Sequence, residues 1–532
     1  MHPLALFETI LLLLTAALVL SVVARRLRMP PAAAYVIGGV ALAFAPGAPR
    51  FAIDPEFVLV LFMPPLLLSS AYFTVWRDFR ANLRPILLLA IGAVIFTTLI
   101  VGFVAHALVP ALPLAAGFCL GAIVSPPDAV AAKAVLQGLP VPQRLVTVLE
   151  GESLVNDASG LMLYRLAAAA ALTGAFSWPD AALTFGQLTA GGVAVGAFAA
   201  LAADAALARL RDSQLIIVTS FLVAYVTYIG AEYVHVSGVL AVVTAGLIMG
   251  WRQHELLDAH SRLEAQAVWR TVVFVMEALV FILIGLALRN VVEELGGFGP
   301  TLTSALPFAL TVTAVVVLAR FIWVFPATYL PRLIPSIRKR DPFPPLSVPI
   351  LVGWAGMRGV VSLAAALALP IGFPGRDFII LTTFVVIAVT VLVQGASLGP
   401  LVEWLKPTSP ALEGAAHLNE HQARATVYEA ALALIARELD AHGQEIHPRL
   451  TEEYRRRVFV SRKNHEDREA LADVRRAHFE MALAATDAAR NELLRLHRAG
   501  DIHDTTLHAV EGELDLEEAR LRRLSGAGGA TH

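Results

Sequence analysis

The stretch LAAGFCLGAIVSPPDAVAAKAVLQ, residues 114–137, decides the fold of this chain. It is long enough to cross a membrane, because a spanning helix needs about 20 mostly apolar residues. Pro126 and Pro127 remove two backbone donors in its middle and break the helix. The carboxylate of Asp128 follows directly. Backbone groups freed at membrane depth are tolerated only beside protein or a water-filled cavity, so the stretch predicts a broken spanning helix with a cation site made of carbonyls and Asp128. A simple proline kink near a helix end is the alternative.

The next apolar stretch, residues 143–173, contains the sequence GESLVND at residues 151–157. Residues four apart on a helix are neighbours, so Ser153 lies beside Asp157 and Glu152 lies beside Asn156. Two adjacent faces of this helix therefore carry a hydroxyl, an amide and two carboxylates. Such oxygen ligands suit a hard cation, and a carboxylate within a helix bundle can also exchange a proton. A purely structural polar network between helices is the alternative, above all for Glu152.

A third unusual stretch reads GWAGMRG at residues 353–359, with glycine at every third position. Glycines weaken a helix and let another backbone approach closely. Arg358 in this stretch and Arg320 in the apolar segment at residues 302–329 need partners inside the protein, because a charge in hydrocarbon is costly. The candidate partners are the acids Asp128, Glu152 and Asp157. A further intramembrane acid, Glu277, fits either a functional role or a polar contact between helices.

Composition places these stretches in a membrane protein. The 532 residues are 57% apolar and 16% charged, with a mean hydropathy of +0.68, whereas soluble domains carry about 25% charged residues. A net charge of −2 argues against binding to nucleic acid. The single cysteine, Cys119, excludes a disulfide framework and a multi-cysteine metal site. We therefore predict an all-α polytopic membrane protein without a cofactor.

The apolar segments predict about thirteen spanning helices. They lie near residues 4–24, 31–46, 55–73, 84–109, 114–137, 143–173, 181–208, 213–232, 236–251, 268–289, 302–329, 347–370 and 377–402. Arginine and lysine gather in the loops after odd-numbered spans, which predicts that these loops and the C-terminus are cytoplasmic and that the N-terminus is outside. The interrupted fifth and twelfth spans hold matching positions in two halves of opposite orientation, which predicts inverted repeats with a transport site between them.

The chain becomes polar at its C-terminal end. We predict a transmembrane domain over residues 1–406 and a cytoplasmic helical domain over residues 407–532. Apolar residues at three- and four-residue spacing in the second domain predict helices near residues 418–440, 449–462, 466–499 and 502–524. A small bundle that helps assembly and a regulatory domain are both consistent with this pattern. Residues 526–532 are predicted to be disordered.

These motifs resemble those of sodium/proton antiporters of the monovalent cation:proton antiporter-1 family, in its bacterial branch, which is related to the animal sodium/proton exchangers. FMPP at residues 62–65 is similar to the family's third-span motif, and DAV at residues 128–130 to its broken fifth helix. GESLVND is similar to the family's Asn-Asp signature, and WAGMRGVVS at residues 354–362 to its twelfth-helix motif. The resemblance implies antiport of Na⁺, with Li⁺ or K⁺ as alternatives, against H⁺.

The resemblance also implies a role for each residue of the ion site. Asp157 would bind sodium and protons by turns, with Ser153 and the carbonyl of Pro127 as further ligands. Asp128 would act nearby, through water. Asn156 stands where electrogenic relatives have a second aspartate, which implies one-for-one, electroneutral exchange.

Further implications of the resemblance concern structure and assembly. Glu152 would pair with Arg320, and Arg358 would sit where the broken helices cross. Relatives are homodimers in which a core moves against a dimer domain, located in the plasma (inner) membrane and involved in pH regulation. Many relatives have an acid in the third span where this chain has Ser69 and Ser70, which leaves a ligand or proton site there open.

Two other classes of protein remain as alternatives at this stage. An intramembrane protease could use GASLG at residues 395–399, but no strand precedes that motif, or two aspartates, but neither lies in a Gly-x-Gly-Asp sequence. A cation channel would need a carbonyl filter loop or a ring of like charges, and neither is evident. Transport rather than catalysis is therefore the prediction.

Overall fold

The structure is a computed structural model that describes residues 3–27, 29–45, 55–136, 139, 141–294, 297, 299–407, 420–437, 447–466, 472–499, 501 and 504–525. Every regular element within these residues is helical, which agrees with the predicted all-α class. The chain divides into two compact units, Met1–Ala411 and Leu412–His532. The domain boundary after residue 406 stays a prediction.

The first unit is a bundle of apolar helices. Its α-helices are α1 (Pro3–Leu27), α2 (Pro31–Ala43), α3 (Pro55–Tyr72), α4 (Trp76–Ala81), α5 (Leu83–Leu87), α6 (Val94–Leu108), α7 (Leu114–Val124), α8 (Ala129–Leu136), α9 (Gln143–Thr173), α10 (Trp178–Leu207), α11 (Ser213–Tyr233), α12 (Gly238–Leu256), α13 (Ala259–Glu294), α14 (Pro300–Tyr329), α15 (Pro335–Arg340), α16 (Ser347–Trp354), α17 (Val360–Leu367), α18 (Arg376–Val389) and α19 (Gly395–Leu405). Leu88–Ala93 and Thr390–Gln394 are π-helical, and Leu330–Leu333 is a 3₁₀ turn.

Seven of the described helices are long and apolar enough to cross a membrane by themselves. They cover Phe7–Leu27, Leu83–Leu108, Pro179–Leu207, Ser213–Tyr233, Ala259–Glu293, Ala305–Leu333 and Arg376–Leu405. Helix α9 has 31 residues and is also long enough, but its own site residues make it less apolar. The total of thirteen spans and the side of the membrane on which each loop lies therefore stay predictions.

Close backbone contacts hold several of these helices together. Gly39 on α2 meets Gly285 on α13, where a Cβ on either residue would overlap the backbone of the other helix. On α12, Gly250 packs in the same way against the backbone of Tyr72 at the end of α3. Small residues at such crossings allow the dispersion contacts on which helix association in a bilayer depends.

The described residues of the second unit form four helices. They are α20 (Glu420–Ile435), α21 (Pro448–Glu466), α22 (Ala472–Ala499) and α23 (Asp504–Ser525). Four helices were predicted, but the predicted end of the second at residue 462 is wrong, because α21 continues to Glu466 and residues 467–471 lie outside the described part. The predicted disordered tail, residues 526–532, also lies outside it.

Candidate functional site

Two broken helices cross in the middle of the first unit. Helix α7 ends at Val124 and α8 begins at Ala129, while α16 ends at Trp354 and α17 begins at Val360. The two breaks touch through one backbone hydrogen bond, in which the N–H of Asp128 donates to the carbonyl of Met357 at 2.6 Å. Glycine at position 359 leaves room for the carboxylate of Asp128, because a Cβ there would overlap that side chain and displace it. The prolines and the glycines thus create two gaps that fit each other.

Arg358 donates hydrogen bonds to backbone carbonyls of both broken helices at this crossing. Its Nε donates to the carbonyl of Val124 at 2.8 Å and its Nη2 to that of Ser125 at 3.4 Å, while its Nη1 bonds the carbonyl of Gly356. The residue is 1% exposed. The C-terminal end of a helix carries a partial negative charge, so the guanidinium neutralises the ends of α7 and α16 together.

The prediction that Arg358 pairs with an acid is wrong for the described residues. Its hydrogen-bond partners among the described residues are backbone carbonyls and the hydroxyl of Thr390, which accepts from the Arg358 backbone N–H at 3.1 Å. The physical reason is that the break leaves several carbonyls without helical donors, and one guanidinium can satisfy them at once.

Asp128 lies on the opposite side of the crossing. Its Oδ1 accepts from the backbone N–H of Val130 at 2.8 Å, so it caps the first turn of α8. A carboxylate is favoured at this helix end, where the partial charge is positive. The side chain is partly exposed and faces a cavity.

Arg320 and Glu152 form a buried ion pair. Arg320 Nη1 and Nη2 donate to the two carboxylate oxygens of Glu152 at 2.6 and 2.9 Å, and Nε donates to the carbonyl of Val352 at 3.1 Å. Their side chains are 2% and 1% exposed. Gly356 makes room for the pair, because a Cβ there would overlap Arg320. The pair joins α9, α14 and α16.

Asn156 fastens α9 to the first break. Its Nδ2 donates to the carbonyl of Pro127 at 2.6 Å, and the residue is fully buried. Its Oδ1 has no hydrogen-bond partner among the described residues. The carbonyl of Pro127, which was predicted to be an ion ligand, therefore already accepts one hydrogen bond in this structure.

The remaining predicted residues line a cavity of about 510 Å³. Its wall contains the hydroxyls of Ser69, Ser70, Ser153 and Ser362 and four acids, which are Asp128, Glu150, Asp157 and Glu277. Asp157 is 9% exposed, and no side chain in the described part of the chain forms a hydrogen bond or ion pair with it. The cavity thus joins the hydroxyl and carboxylate residues of α9 with Asp128 and Glu277.

An ion pair that the sequence analysis missed lies on the wall of this cavity. Lys133 on α8 and Glu150 on α9 are 2.7 Å apart, with side chains 46% and 20% exposed. Arg270 also lines the cavity. A lysine five residues after Asp128 within a predicted span was a signal for such a contact, since a charge in that setting needs a partner.

This arrangement can bind a small cation. Carboxylates and hydroxyls are the ligands that hard cations prefer, and a carboxylate that faces water can bear either a proton or a cation. Among the residues that the structure describes, no group of three His, Cys, Asp or Glu side chains could hold a resident metal ion. Discontinuous helices that meet beside a polar cavity within a membrane domain are the arrangement found in secondary transporters.

The chain belongs to the sodium/hydrogen exchanger family, because the family model described as "Sodium/hydrogen exchanger, transmembrane" matches residues 10–404. This match confirms the resemblance found in the sequence motifs. Membership identifies the chain as a transporter of the antiporter class that is integral to a membrane.

Two proteins of known family have sequences that align with most of this chain. A protein of Mycobacterium tuberculosis described as an uncharacterized Na(+)/H(+) exchanger is 33% identical over 534 residues, covering 96% of this chain and 95% of its own. A sodium, potassium, lithium and rubidium/H(+) antiporter of Bacillus subtilis is 32% identical over 417 residues, covering 75% of this chain and 61% of its own.

A solved structure shows the same fold. The sodium proton antiporter of Methanocaldococcus jannaschii at pH 8 superposes with a TM-score of 0.61 over 76% of this chain and 99% of its own. Its sequence identity is 18%, so this likeness concerns the fold alone. It supports the antiporter architecture of the first unit.

Proposed function

We propose that this protein exchanges Na⁺ for H⁺ across the membrane through one carboxylate, Asp157, that binds the two ions by turns. The observation that carries the proposal is the contrast within a single turn of α9. Asn156 is neutral and bonded to the carbonyl of Pro127, whereas Asp157 faces the cavity without a partner among the described residues. Ser153 lines the same cavity and supplies a second oxygen.

Asp128 assists from the other wall. Its backbone N–H is held by Met357 and its Oδ1 by the first turn of α8, so its carboxylate has a fixed direction. A fixed negative charge beside the cavity attracts cations and repels anions without having to release a proton itself. The carbonyl of Pro127 becomes a ligand in this proposal if Asn156 releases it.

The stoichiometry follows from counting the charges that change. With Asp157 as the shared site and Asn156 neutral, one sodium ion replaces one proton, so the exchange is electroneutral and one-for-one. Alternating access then requires that the cavity close on one side and open on the other while the site is loaded. The crossing of α7–α8 with α16–α17 is the element that such a movement would carry.

The proposal includes the orientation and assembly expected from the sequence. The N-terminus is outside, the C-terminal unit is cytoplasmic, and the protein works as a homodimer in the plasma membrane for pH regulation. In this orientation the cavity would open to the cytoplasm, because its wall includes Lys133, near the end of α8 at Leu136, and Glu150, two turns after the start of α9 at Gln143. The relative from Bacillus subtilis is named for four alkali cations, which is why Li⁺ and K⁺ belong in any test of this chain.

The test is competition between the two ions. The protein is reconstituted in sealed vesicles, and the apparent KM for sodium is measured by dequenching of a pH-sensitive dye at several pH values. If both ions share one carboxylate, each unit drop in pH on the acidic limb raises the apparent KM about tenfold, because the proton-free fraction falls tenfold. The maximum rate at saturating sodium changes much less.

A flat KM across the acidic limb would overturn the shared site. Li⁺ and K⁺ are measured in parallel, and a cation that leaves the dye signal unchanged at every pH is not a substrate. A channel would be revealed by a current without coupling to protons, and a protease by neither signal.

A further inference from the structure

A second charged cluster lies away from the cation cavity. Asp341, between α15 and α16, accepts hydrogen bonds from three arginines, and we name these four residues the Asp341 cluster. Arg144 Nη1 donates to Asp341 at 2.7 Å, Arg332 Nη2 donates at 3.0 and 2.8 Å, and Arg84 Nη2 also bonds the carboxylate. The arginines come from α5, from the start of α9 and from the turn after α14.

The cluster contains more positive than negative charge. Three guanidinium groups face one carboxylate, and no other described acid forms an ion pair with any of the three. Their side chains are 34%, 25% and 6% exposed for Arg84, Arg144 and Arg332. Arg332 is buried and the other two are partly exposed, so the repulsion among the three guanidinium groups is only partly screened by water and an additional anion would reduce it.

The carboxylate in the cluster remains ionised at neutral pH. Burial raises the pKa of Asp341, but hydrogen bonds and charge from Arg144 and Arg332 outweigh it, and the pKa lies below its ordinary value. Asp341 therefore contributes one negative charge against the three arginines. The excess of two positive charges persists across the physiological pH range.

Arginine nitrogens of the cluster that bond no described acceptor also indicate that a further anion can bind. Arg332 uses all three of its nitrogens, on Asp341, on the carbonyl of Pro342 and on that of Thr328. Among the described residues, Arg84 donates from one nitrogen, Nη2, to Asp341, and Arg144 donates from Nε to Asn82 and from Nη1 to Asp341. Two nitrogens of Arg84 and one of Arg144 therefore remain for a further acceptor.

Space for an acceptor is present beside these donors. A cavity of about 80 Å³ is lined by Arg84, Arg144 and Arg332 at its polar end. Its other walls are apolar and include Leu88, Val148 and Val348. A tetrahedral phosphate is of this size, and arginine is the residue best suited to bind one because its donors form a fork.

The surface around the cluster fits lipid rather than water. Leu330, Leu333 and Ile334, next to Arg332 in the sequence, are 60%, 68% and 52% exposed. The following helix α15 carries Arg338 and Lys339. Basic residues beside exposed apolar ones are typical of a segment at the membrane interface, and the predicted orientation puts them on the cytoplasmic leaflet, where anionic lipids are found.

We propose that the Asp341 cluster binds the phosphate of an anionic phospholipid headgroup in the cytoplasmic leaflet. The phosphate accepts from the unused nitrogens of Arg84 and Arg144 and compensates the excess charge, while the acyl chains lie along the exposed leucines. Because the cluster joins α5, α9 and the turn after α14, a bound lipid stabilises the part of the bundle that carries Glu152 and Arg320. The proposal does not depend on which ions the protein exchanges.

The experiment measures thermal unfolding of the purified full-length protein in a zwitterionic detergent. Phosphatidylglycerol is added and compared with phosphatidylcholine and with inorganic phosphate, at constant ionic strength. We expect phosphatidylglycerol to raise Tm by about 2–4 °C and phosphatidylcholine to leave it unchanged. An equal rise with inorganic phosphate would show a free-anion site instead and overturn the headgroup proposal.

Two variants and one matched control locate the effect. Arg84→Gln should lose at least half of the Tm shift, because it removes donors that face the cavity. Asp341→Asn should lower the basal Tm but enlarge the shift, because the excess charge grows to three. Arg80→Gln removes the same charge from an exposed position on α4 that has no described ion pair, and it should keep the full shift. A shift that is equal in all four proteins, or absent in the wild type, would contradict the proposal.

Discussion

The two faces of helix α9 carry similar side chains and are used in opposite ways. On one face, Glu152 and Asn156 are sealed in the protein, and each bonds a partner from a distant part of the chain. On the other face, Ser153 and Asp157 line the cation cavity. Five positions separate two carboxylates of nearly the same chemistry, one of which is neutralised by Arg320 while the other is left open.

The difference shows that the partner, rather than the residue type, decides the role of an acid in a membrane. A carboxylate with a bidentate guanidinium partner already has its counter-charge, so it can hold helices together but is not available to bind a transported ion. A carboxylate that faces a cavity without a fixed partner must find its own counter-charge, and a proton or a cation can provide it. Four predictions test this contrast.

The largest effect is expected on the open face. Asp157→Asn should abolish sodium-dependent proton flux in sealed vesicles, because an amide can bear neither a proton nor a cation. Thermal stability should be retained, since Asp157 has no described partner to lose. Asp180→Asn, an exposed aspartate in the first turn of α10, is the matched control and should transport normally. Normal flux in the Asp157 variant would remove that residue from the mechanism.

The next effect is expected on the sealed face, and it concerns stability. Glu152→Gln or Arg320→Gln alone should lower the free energy of unfolding by about 3–5 kcal/mol, because the surviving charge stays buried without compensation. The double variant should recover part of that loss. Denaturation in detergent measures all three.

An exposed pair provides the control for that cycle. Arg289 and Glu293 lie one turn apart on α13 with a contact of 2.9 Å, and their side chains are 27% and 48% exposed. Arg289 also donates to the carbonyl of Ala43, so only the more exposed Glu293 is substituted, and Glu293→Gln should change the free energy of unfolding by less than about 1 kcal/mol. If the Glu152 and Arg320 losses simply add in the double variant, the two residues are not energetically coupled.

A smaller effect on the exchange rate is expected at Gly359, where the break between α16 and α17 lies beside Asp128. Gly359→Ala should slow exchange by roughly 10- to 100-fold, because the new Cβ would overlap the carboxylate of Asp128 and displace it. Gly399→Ala on α19 is the matched control, since a Cβ there meets nothing within 4 Å. Initial rates at saturating sodium compare the two, and equal rates would show that the position of Asp128 does not matter.

The last prediction is that the membrane potential has no effect on the rate of exchange. Because Asn156 is neutral and its Nδ2 donates to the carbonyl of Pro127, one exchange cycle through Asp157 should move no net charge. The rate should therefore stay the same when the membrane potential is clamped at different values with constant ion gradients. A rate that follows the potential would show that a second charge moves with Asp157.

Much of this site is predictable from the sequence because it depends on local backbone chemistry. The prolines at residues 126–127 and the glycines at residues 353–359 predict the breaks, and four-residue spacing predicts the two faces of α9. These signals are short in range and depend on backbone donors and helix period. The family motifs added the pairing of Glu152 with Arg320, which the structure places at 2.6 Å.

The rest depends on contacts between segments far apart in the chain. Arg358 bonds carbonyls more than 230 positions away, and no local pattern tells a carbonyl partner from an acid. The Asp341 cluster joins three helix ends and a loop whose proximity follows from packing alone. Lys133 and Glu150 were visible as charges, but which of several acids lay nearest could not be read from their spacing.

The distance along the chain between Glu152 and Arg320 has a consequence for how the protein is made. The two are 168 positions apart, so at a synthesis rate of about 5–20 residues per second the acid is in place roughly 8–34 s before its base exists. During that time α9 has no guanidinium to hold it, and the crossing cannot form, because Met357 is made later still. A nascent chain that stalls in this interval carries an uncompensated acid within its apolar helices, which distinguishes it from a finished protein.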